Sequence, residues 1–289
     1  MAVTLGRTGI WSGSRNWPED PAAATAAAAE LAGLGYRTLW LGMASPGLEL
    51  AATALRATSG LTVATGIVSV WAAPAADVAA AYHRVTAACP GRFLLGLGAS
   101  HAHVVARTGQ QYVRPYQKTA RFLDELDIAS PPVPPEGRAL AALGPRMLAL
   151  AGQRTAGAHP YLVPPEHTRR ARQIMGDGPL LAPEQMAILE TDPARAREVA
   201  RAALHMYLQA PNYVASLRRL GFTPDDIGQA TDRLVDALVV WGNAETVAAR
   251  VAEHHQAGAD HVCVQVLTGE PGLPLAQWRA LAPALTALT

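Results

Sequence analysis

Eight short, largely apolar segments alternate with longer, alanine-rich segments along the whole chain of 289 residues. The short segments have the length and composition of buried β-strands, and the longer ones carry apolar residues at helical spacing. The predicted strands cover residues 3–11, 36–43, 61–70, 93–98, 139–144, 159–163, 180–189 and 261–267. Eight alternating strand and helix units predict an α/β fold of one parallel sheet closed into a (β/α)8 TIM barrel.

An open, doubly wound sheet is the alternative fold for such an alternation. No G-x-G-x-x-G follows the first predicted strand and no acidic residue ends the second, so the barrel is favoured, and residues 1–289 are predicted to form one barrel domain. About seventy residues separate the seventh and eighth predicted strands. This insertion has predicted helices near 193–208, 212–220, 229–239 and 244–257, and an insertion here is typical of an active-site cover.

The composition limits the classes of partner. Hydrophobic residues make up 50% of the chain, charged residues 16%, and the formal net charge is +1, which argues against a nucleic-acid surface. No stretch reaches the roughly 18 apolar residues of a membrane span, and the first residues lack the pattern of a signal peptide. Cys89 and Cys263 both lie in apolar runs and are predicted to be reduced, buried thiols. We therefore expect a cytoplasmic protein with a small-molecule ligand.

In a TIM barrel the ligand site lies at the carboxyl ends of the strands. The residues that end or follow the first five predicted strands are Trp11, Ser12, Met43, Ala44, Ser45, Ser69, Val70, Trp71, Ala99, Ser100, His101, Leu143 and Gly144. This rim is apolar and aromatic with few charges, which suits a flat, largely apolar ring system. Trp11, Met43, Trp71 and His159 are predicted substrate contacts, although each tryptophan could instead cap the core. Trp40, inside the second strand, is interpreted as structural.

The tripeptide Gly144-Pro145-Arg146 follows the fifth predicted strand and begins a helix. The free N–H groups of a helix start, together with Arg146, could hold a phosphate. A glycine before a proline is also ordinary turn chemistry, so the interpretation depends on the position of the tripeptide at the rim.

Five runs of the sequence resemble the luciferase-like monooxygenase superfamily. They are TGIVSVWAAP (65–74), GRFLLGLGASHAHVV (91–105), LAALGPRMLALAGQRTAGAHPYLVPPEHT (140–168), LLAPEQMAILETDPARAR (180–197) and AGADHVCVQVL (257–267). The chain more narrowly resembles the actinobacterial branch of oxidoreductases that depend on the deazaflavin coenzyme F420. The similarity follows the strand order of the family over nearly the whole chain.

The resemblance implies a cofactor ring that lies across the strand tips and a hydride transfer between the deazaflavin and a small organic substrate. It implies a non-prolyl cis peptide between Ser69 and Val70, and contacts from Gly98, Ala99, Ser100 and His101 after the fourth strand. A cofactor phosphate would lie near Leu143, Gly144, Pro145 and Arg146. We also expect a homodimer. FMN is the alternative cofactor, in a luciferase-like monooxygenase or reductase.

The chain departs from those relatives that oxidise sugar phosphates. They carry an acidic residue followed by histidine at the second strand tip, whereas this chain has Met43 and Ala44. Their general base therefore does not transfer, and the loop after the fourth strand supplies the nearest candidate. We predict that His101 is the catalytic group that moves a proton, with His103 as the alternative.

The pair His101 and His103 has the H-x-H spacing of some metal-dependent hydrolases. Such sites need three or more converging ligands, and the neighbouring strand tips offer none, so no metal is expected. A barrel that binds a flavin or deazaflavin without catalysis stays open. His159 and Tyr161 could project into the barrel mouth or pack, and the basic residues Arg107, Arg114, Lys118 and Arg121 could attract an anionic cofactor tail or form a solvated helix face.

Overall fold

The computed structural model describes residues 3–288. The strands are Thr8–Gly13 (β1), Thr38–Gly42 (β2), Thr62–Thr65 (β3), Val68–Ser69 (β4), Phe93–Gly98 (β5), Arg138–Leu140 (β6), Gly157–Ala158 (β7), Leu180–Leu181 (β8), Glu184–Ile188 (β9), Val239–Trp241 (β10) and Val262–Val266 (β11). The helices are Pro21–Gly33 (α1), Glu49–Arg56 (α2), Ala75–Ala88 (α3), Ala102–Ala106 (α4), Pro115–Asp127 (α5), Pro145–Arg154 (α6), Pro165–Met175 (α7), Pro193–Leu204 (α8), Pro211–Arg219 (α9), Pro224–Gln229 (α10), Asp232–Leu238 (α11), Ala244–Gln256 (α12) and Leu275–Thr286 (α13). Short 3₁₀ turns cover Ser14–Asn16, Pro135–Gly137 and Tyr207–Gln209.

The strands pair in parallel and close into a barrel. The order runs β1, β2, β3, β5, β6, β7 and β8, while β9 pairs with β11 and β11 with β1. The segment between β8 and β9 joins the two ends of this strand order. The N–H of Ala182 donates to Ala158 O at 2.9 Å, whereas Pro183 O accepts from the N–H of Cys263 at 3.1 Å. One segment thus bonds β7 on one side and β11 on the other, which confirms the predicted (β/α)8 barrel.

Apolar residues fill the fold in three places. The barrel interior holds Trp40, Ala64, Leu94, Ala139 and Cys263. The largest cluster lies between the outer face of the sheet and the surrounding helices. Strands covered on both faces are apolar on both faces, which explains the continuous apolar runs in the sequence. Both cysteines are buried and free, as predicted.

The insertion between β9 and β11 makes the third apolar cluster. Residues of α8, α9 and α11 pack there against Leu162, Met186 and Ile188, which lie toward the carboxyl ends of the barrel strands. The insertion therefore lies over the barrel mouth, where the sequence predicted a cover. Within residues 3–288, no helix has the length and apolar character needed to cross a membrane.

The predicted boundaries of strands and helices are wrong at positions where the backbone interrupts a regular element. The sixth strand is Gly157–Ala158 rather than 159–163, because Pro160 has no N–H for a ladder and Leu162 adopts a left-handed φ of 60°. The predicted helix 229–239 begins only at Asp232, because Ala230 ends the preceding helix α10 with a left-handed φ of 47°. The β-branched residues after α11 then form β10, which the sequence interpretation missed.

Candidate active site at the barrel mouth

The indole of Trp11 covers the tips of β1 and β2. A Cβ on Gly42 would stand 2.0 Å from Trp11 Cζ2, so only glycine permits the ring to lie there. Trp11 is 7% exposed, whereas Met43 follows with a φ of 50° and is 58% exposed. The second strand tip therefore presents an indole and a solvent-exposed thioether. Both remain predicted substrate contacts.

The third strand breaks between β3 and β4. The non-prolyl cis peptide lies at Gly66–Ile67, so the prediction of Ser69–Val70 is wrong. Ser69 pairs with Gly98 and the N–H of Val70 donates to Gly98 O at 3.0 Å, so these residues already continue the ladder with β5. The irregular backbone instead falls on Gly66, where a Cβ would stand 2.8 Å from both Trp11 Nε1 and His159 Nε2.

The glycines of the run FLLGLG allow β5 to approach this break. A Cβ on Gly96 would stand 1.7 Å from Thr65 O, and one on Gly98 would stand 2.9 Å from Ile67 Cγ1. Thr65 Oγ1 donates to Gly96 O at 2.8 Å and accepts from the N–H of Gly96 at 2.8 Å. Close backbone approach explains why the strand ends in small residues.

The tip of β5 turns sharply and presents His101. Ser100 adopts a φ of 60°, and His101 is the residue that precedes α4. The half-buried ring of His101 lies 5.4 Å from the ring of Tyr213 and 5.7 Å from that of His103, which is exposed. Burial, and then the neighbouring His103, lower the pKa of His101, while a hydrogen bond with the side chain of Asn212 opposes them. His101 is therefore a neutral imidazole at neutral pH.

His159 lies beneath the mouth rather than on its rim. Its ring is 1% exposed and stacks on Trp40 with centroids 4.0 Å apart. Burial lowers its pKa to about 4. Because Nδ1 lies 2.7 Å from Ala182 O, the neutral ring carries its proton there and presents the Nε2 lone pair, which has no partner within residues 3–288. Its substrate contact stays a prediction.

Glu184 is a buried acid that the sequence interpretation missed. Its side chain is 0% exposed, and its backbone pairs with Cys263 across the sheet. The N–H of Leu162 donates to Oε2 at 3.2 Å, and Oε1 has no partner within the described part of the chain. Burial raises the pKa of Glu184 to about 8, so the carboxyl is protonated at neutral pH. A lone acid inside the apolar run LLAPEQMAIL was the available signal.

Aromatic rings from separate segments meet near Glu184. Tyr161 lies 5.3 Å from Trp11, 5.4 Å from Tyr207 and 6.3 Å from Tyr213, measured between ring centroids. The hydroxyl of Tyr161 donates to Gln265 Oε1 at 2.8 Å and lies 3.0 Å from that of Tyr207. We call Trp11, Tyr161, Tyr207, Tyr213 and His101 the aromatic wall. Tyr207 and Tyr213 belong to the insertion and were not predicted as site residues.

The start of α6 lies at the same rim, next to an arginine that was not predicted. Gly144 precedes the helix, and Arg219 Nη2 lies 3.6 Å from where a Cβ on Gly144 would stand. The guanidinium of Arg146 lies over the ring of Tyr116 at 4.4 Å. Leu143 O is 3.0 Å from His167 Nε2. The first turn of α6 thus combines backbone N–H groups with a nearby guanidinium.

Trp71 and the basic residues after β5 lie to one side of the mouth. Trp71 packs on Tyr112 with centroids 5.8 Å apart, and Lys118 Nζ lies 5.5 Å from its ring. Arg107, Arg114 and Arg121 are exposed. Within residues 3–288, no group of three or more His, Cys, Asp or Glu side chains is arranged to hold a metal ion.

The model of the luciferase-like monooxygenase family matches residues 1–128 and 120–261. The chain belongs to this family. Its chemistry class is therefore that of an oxidoreductase, as the sequence predicted. No curated protein matches the chain.

Solved luciferase-like structures share the fold at low identity. An F420-dependent secondary alcohol dehydrogenase with an F420-acetone adduct is 16% identical with a TM-score of 0.73, covering 98% of this chain and 99% of that chain. The coenzyme F420 dependent tetrahydromethanopterin reductase from Methanopyrus kandleri is 15% identical with a TM-score of 0.72. The match covers 96% of this chain and 97% of that chain. The oxygenating constituent of 3,6-diketocamphane monooxygenase from Pseudomonas putida, in complex with FMN, is 14% identical with a TM-score of 0.67, covering 100% and 99%.

Proposed function

We propose that this luciferase-like protein is an F420-dependent oxidoreductase that transfers a hydride between the deazaflavin and a small organic substrate. One observation carries the proposal. Backbone without side-chain bulk, at Gly66 and Gly98, lies on the same rim as the start of α6 at Gly144. Close backbone suits the face of a planar ring, and a helix start suits the phosphate attached to it.

A buried polar atom near the break in the third strand supports the fit of a heterocyclic ring. His159 Nε2 is an acceptor that has no partner within residues 3–288. An unpaired buried group costs about 1–3 kcal/mol, which a ligand with complementary polar atoms recovers. A deazaflavin presents ring N–H and C=O groups of this kind, and it supplies hydride transfer when bound.

Two sets of cations support the binding of an anionic cofactor. Arg219 and the first turn of α6 offer a positive site for a phosphate beside Gly144. Arg107, Arg114, Lys118 and Arg121 lie on or next to α4 and α5 and would attract an acidic tail. Predicted phosphate contacts at Leu143, Pro145 and Arg146 belong to the first of these sites.

His101 is the proposed proton-transfer residue. When a substrate hydroxyl is oxidised, the carbon loses a hydride and the oxygen loses a proton. A neutral imidazole with a free lone pair accepts that proton, and its lowered pKa keeps it neutral in the resting protein. Asn212 and Tyr213 hold the ring between the β5 tip and the insertion.

FMN is the second candidate cofactor. It is favoured by the monooxygenase named as the FMN complex, whereas the alcohol dehydrogenase and the reductase are named for F420. An equilibrium titration of the purified protein with F420 and with FMN separates the two. We expect saturable binding of F420 with a Kd on the order of micromolar or below. Saturable binding of FMN with none of F420 would overturn the cofactor assignment. Sedimentation of the same samples tests the predicted homodimer.

A further inference from the structure

The rings of the aromatic wall contact one another in series on one side of the mouth. Tyr207 and Tyr213 meet edge to face with centroids 5.4 Å apart, and Tyr213 continues to His101 at 5.4 Å. Trp11 begins the same series through Tyr161 at 5.3 Å. Rings at these separations bind planar, apolar molecules by stacking and by edge-to-face contact.

The polar atoms on this surface are uncharged. Tyr161 gives its proton to Gln265, so Tyr207 is the donor in the bond between the two hydroxyls, and Tyr161 is the acceptor. Burial is the largest cause of the raised pKa of Tyr161, Tyr207 and Tyr213, which are therefore neutral.

Within residues 3–288, no cation is among the ionisable groups that shift the pKa of these three tyrosines. They are the other tyrosines, Tyr112 among them, and Glu184. Glu184 is itself protonated at neutral pH. An anionic substrate would therefore lose its hydration at the wall without gaining a counter-charge.

Two fully or nearly buried polar groups at the wall lack partners. Glu184 Oε1 and Trp11 Nε1 make no hydrogen bond within the described residues. Their side chains are 0% and 7% exposed. A protonated carboxyl can donate or accept, and an indole N–H can only donate. Both fit a neutral carbonyl or hydroxyl oxygen.

We propose that the substrate is an uncharged molecule that carries a planar ring and a carbonyl or hydroxyl group, held with its ring against the aromatic wall. This substrate class rests on the proposed function, since hydride transfer interconverts an alcohol and a carbonyl. On oxidation of the alcohol, a bound deazaflavin would take the hydride and His101 would take the proton. Tyr207 and Tyr213 select the ring, and their place in the insertion makes the cover part of the substrate site.

A matched pair of probes tests the class. Naphthol and naphthoate share one ring system, and at neutral pH the first is uncharged and the second anionic. Calorimetric titration of the whole protein, with and without F420, should give naphthol at least about tenfold tighter binding than naphthoate, equivalent to about 1.4 kcal/mol. Tighter binding of naphthoate, or no binding of naphthol, would overturn the proposal.

Variants of Tyr207 test whether naphthol binds at the aromatic wall. Tyr207→Ala removes a ring contact and should weaken naphthol binding about fivefold to tenfold, and Tyr207→Phe, which loses only the hydroxyl, about threefold. Tyr82→Phe makes the same chemical change outside the barrel, where Tyr82 packs on Phe93, and should leave binding unchanged. Equal affinities for wild type and Tyr207→Ala, each with a cooperative unfolding transition, would remove the wall from the substrate site. Failure of F420 to bind would instead overturn the proposed function and leave the probe result standing.

Discussion

Between β3 and β5 the mouth is made of backbone that lies close to backbone, whereas the opposite side is made of large aromatic side chains. The first side needs residues without side chains, and a Cβ on Gly96 would stand only 1.7 Å from Thr65 O. The second side needs ring contacts, such as the 5.3 Å approach of Trp11 and Tyr161. The first surface would suit the flat cofactor that we propose, and the second would suit the proposed substrate.

The two sides also differ in how far apart in the sequence their residues lie. The backbone side joins β3 and β5, which only β4 and α3 separate in the chain, through the Thr65 and Gly96 hydrogen bonds. The aromatic wall draws its rings from four separate regions, at Trp11, at His101, at Tyr161, and at Tyr207 and Tyr213. The backbone side therefore has little tolerance for change, while the wall can change one ring at a time.

The variant Gly96→Ala should disrupt the close approach of β3 and β5 and cause the largest loss of stability. The added Cβ meets the Thr65 carbonyl rather than a movable side chain, so the strands must separate. We expect a loss of about 4 kcal/mol or more in the free energy of unfolding, measured by urea denaturation. Gly60→Ala is the control, because nothing lies within 4 Å of its added Cβ. Similar stabilities for the two variants would contradict the close approach.

The variant Glu184→Gln tests whether the carboxyl beside the aromatic wall is neutral in the folded protein. The folded pKa of the carboxyl is about 8, above its ordinary value of 4.5, because burial disfavours the charge. The folded state thus binds the proton more tightly than the unfolded chain. Its contribution to stability is complete below about pH 4.5 and is lost as the pH rises through about 8.

Glutamine does not ionise, so the variant should escape this loss. At about 1.4 kcal/mol for each pKa unit, we expect the stability of Glu184→Gln relative to wild type to rise by about 3 kcal/mol between about pH 5 and 8. Chemical denaturation over that range measures it, with the exposed Glu198→Gln as control. A pH-independent difference would show that the carboxyl is not held neutral.

Local sequence patterns predicted the fold well because each strand needs only its own apolar run. The glycines of β5 and the start of α6 at Gly144 were also found, since tight backbone approach and helix starts have local signatures. The cis peptide was placed at Ser69–Val70 instead of Gly66–Ile67. Gly66 lies against Trp11 and His159, which are distant in the sequence.

The insertion shows where local patterns stop being informative. Its helices were predicted from apolar spacing, but that spacing does not tell which residues face the barrel. Tyr213 lies beside His101, and Arg219 beside Gly144, only through the way α9 packs across the mouth. Glu184 was visible as an acid in an apolar run, but its missing partner is a property of the folded barrel.

His101→Ala should test the residue that joins the two sides of the mouth. We expect the single-turnover rate of hydride transfer to fall by about 10²-fold or more while F420 affinity changes little. The acidic limb of the wild-type pH profile should lie below the ordinary pKa of 6.5, because burial lowers the pKa of His101, and should vanish in the variant. His103→Ala is the matched control. Weaker F420 binding with an unchanged bound-state rate would make His101 a binding contact.

Arg219→Ala should have the smallest effect and tests whether the insertion reaches the cofactor as well as the substrate. The guanidinium lies 3.6 Å from where a Cβ on Gly144 would stand, at the start of α6. Loss of one partly solvated charge contact with a phosphate should weaken F420 binding about tenfold, and less at high salt. Because Arg219 is exposed, the unfolding temperature should stay unchanged.

The variant Arg218→Ala is the charge-matched control for Arg219→Ala. Arg218 is the exposed neighbour of Arg219 on α9, so its removal changes the net charge equally without emptying the position beside Gly144. Weakening confined to Arg219→Ala, measured by F420 titration at low and high salt, indicates a direct contact. Equal weakening in both variants indicates general attraction of an anion, which would leave the insertion in contact with the substrate wall alone.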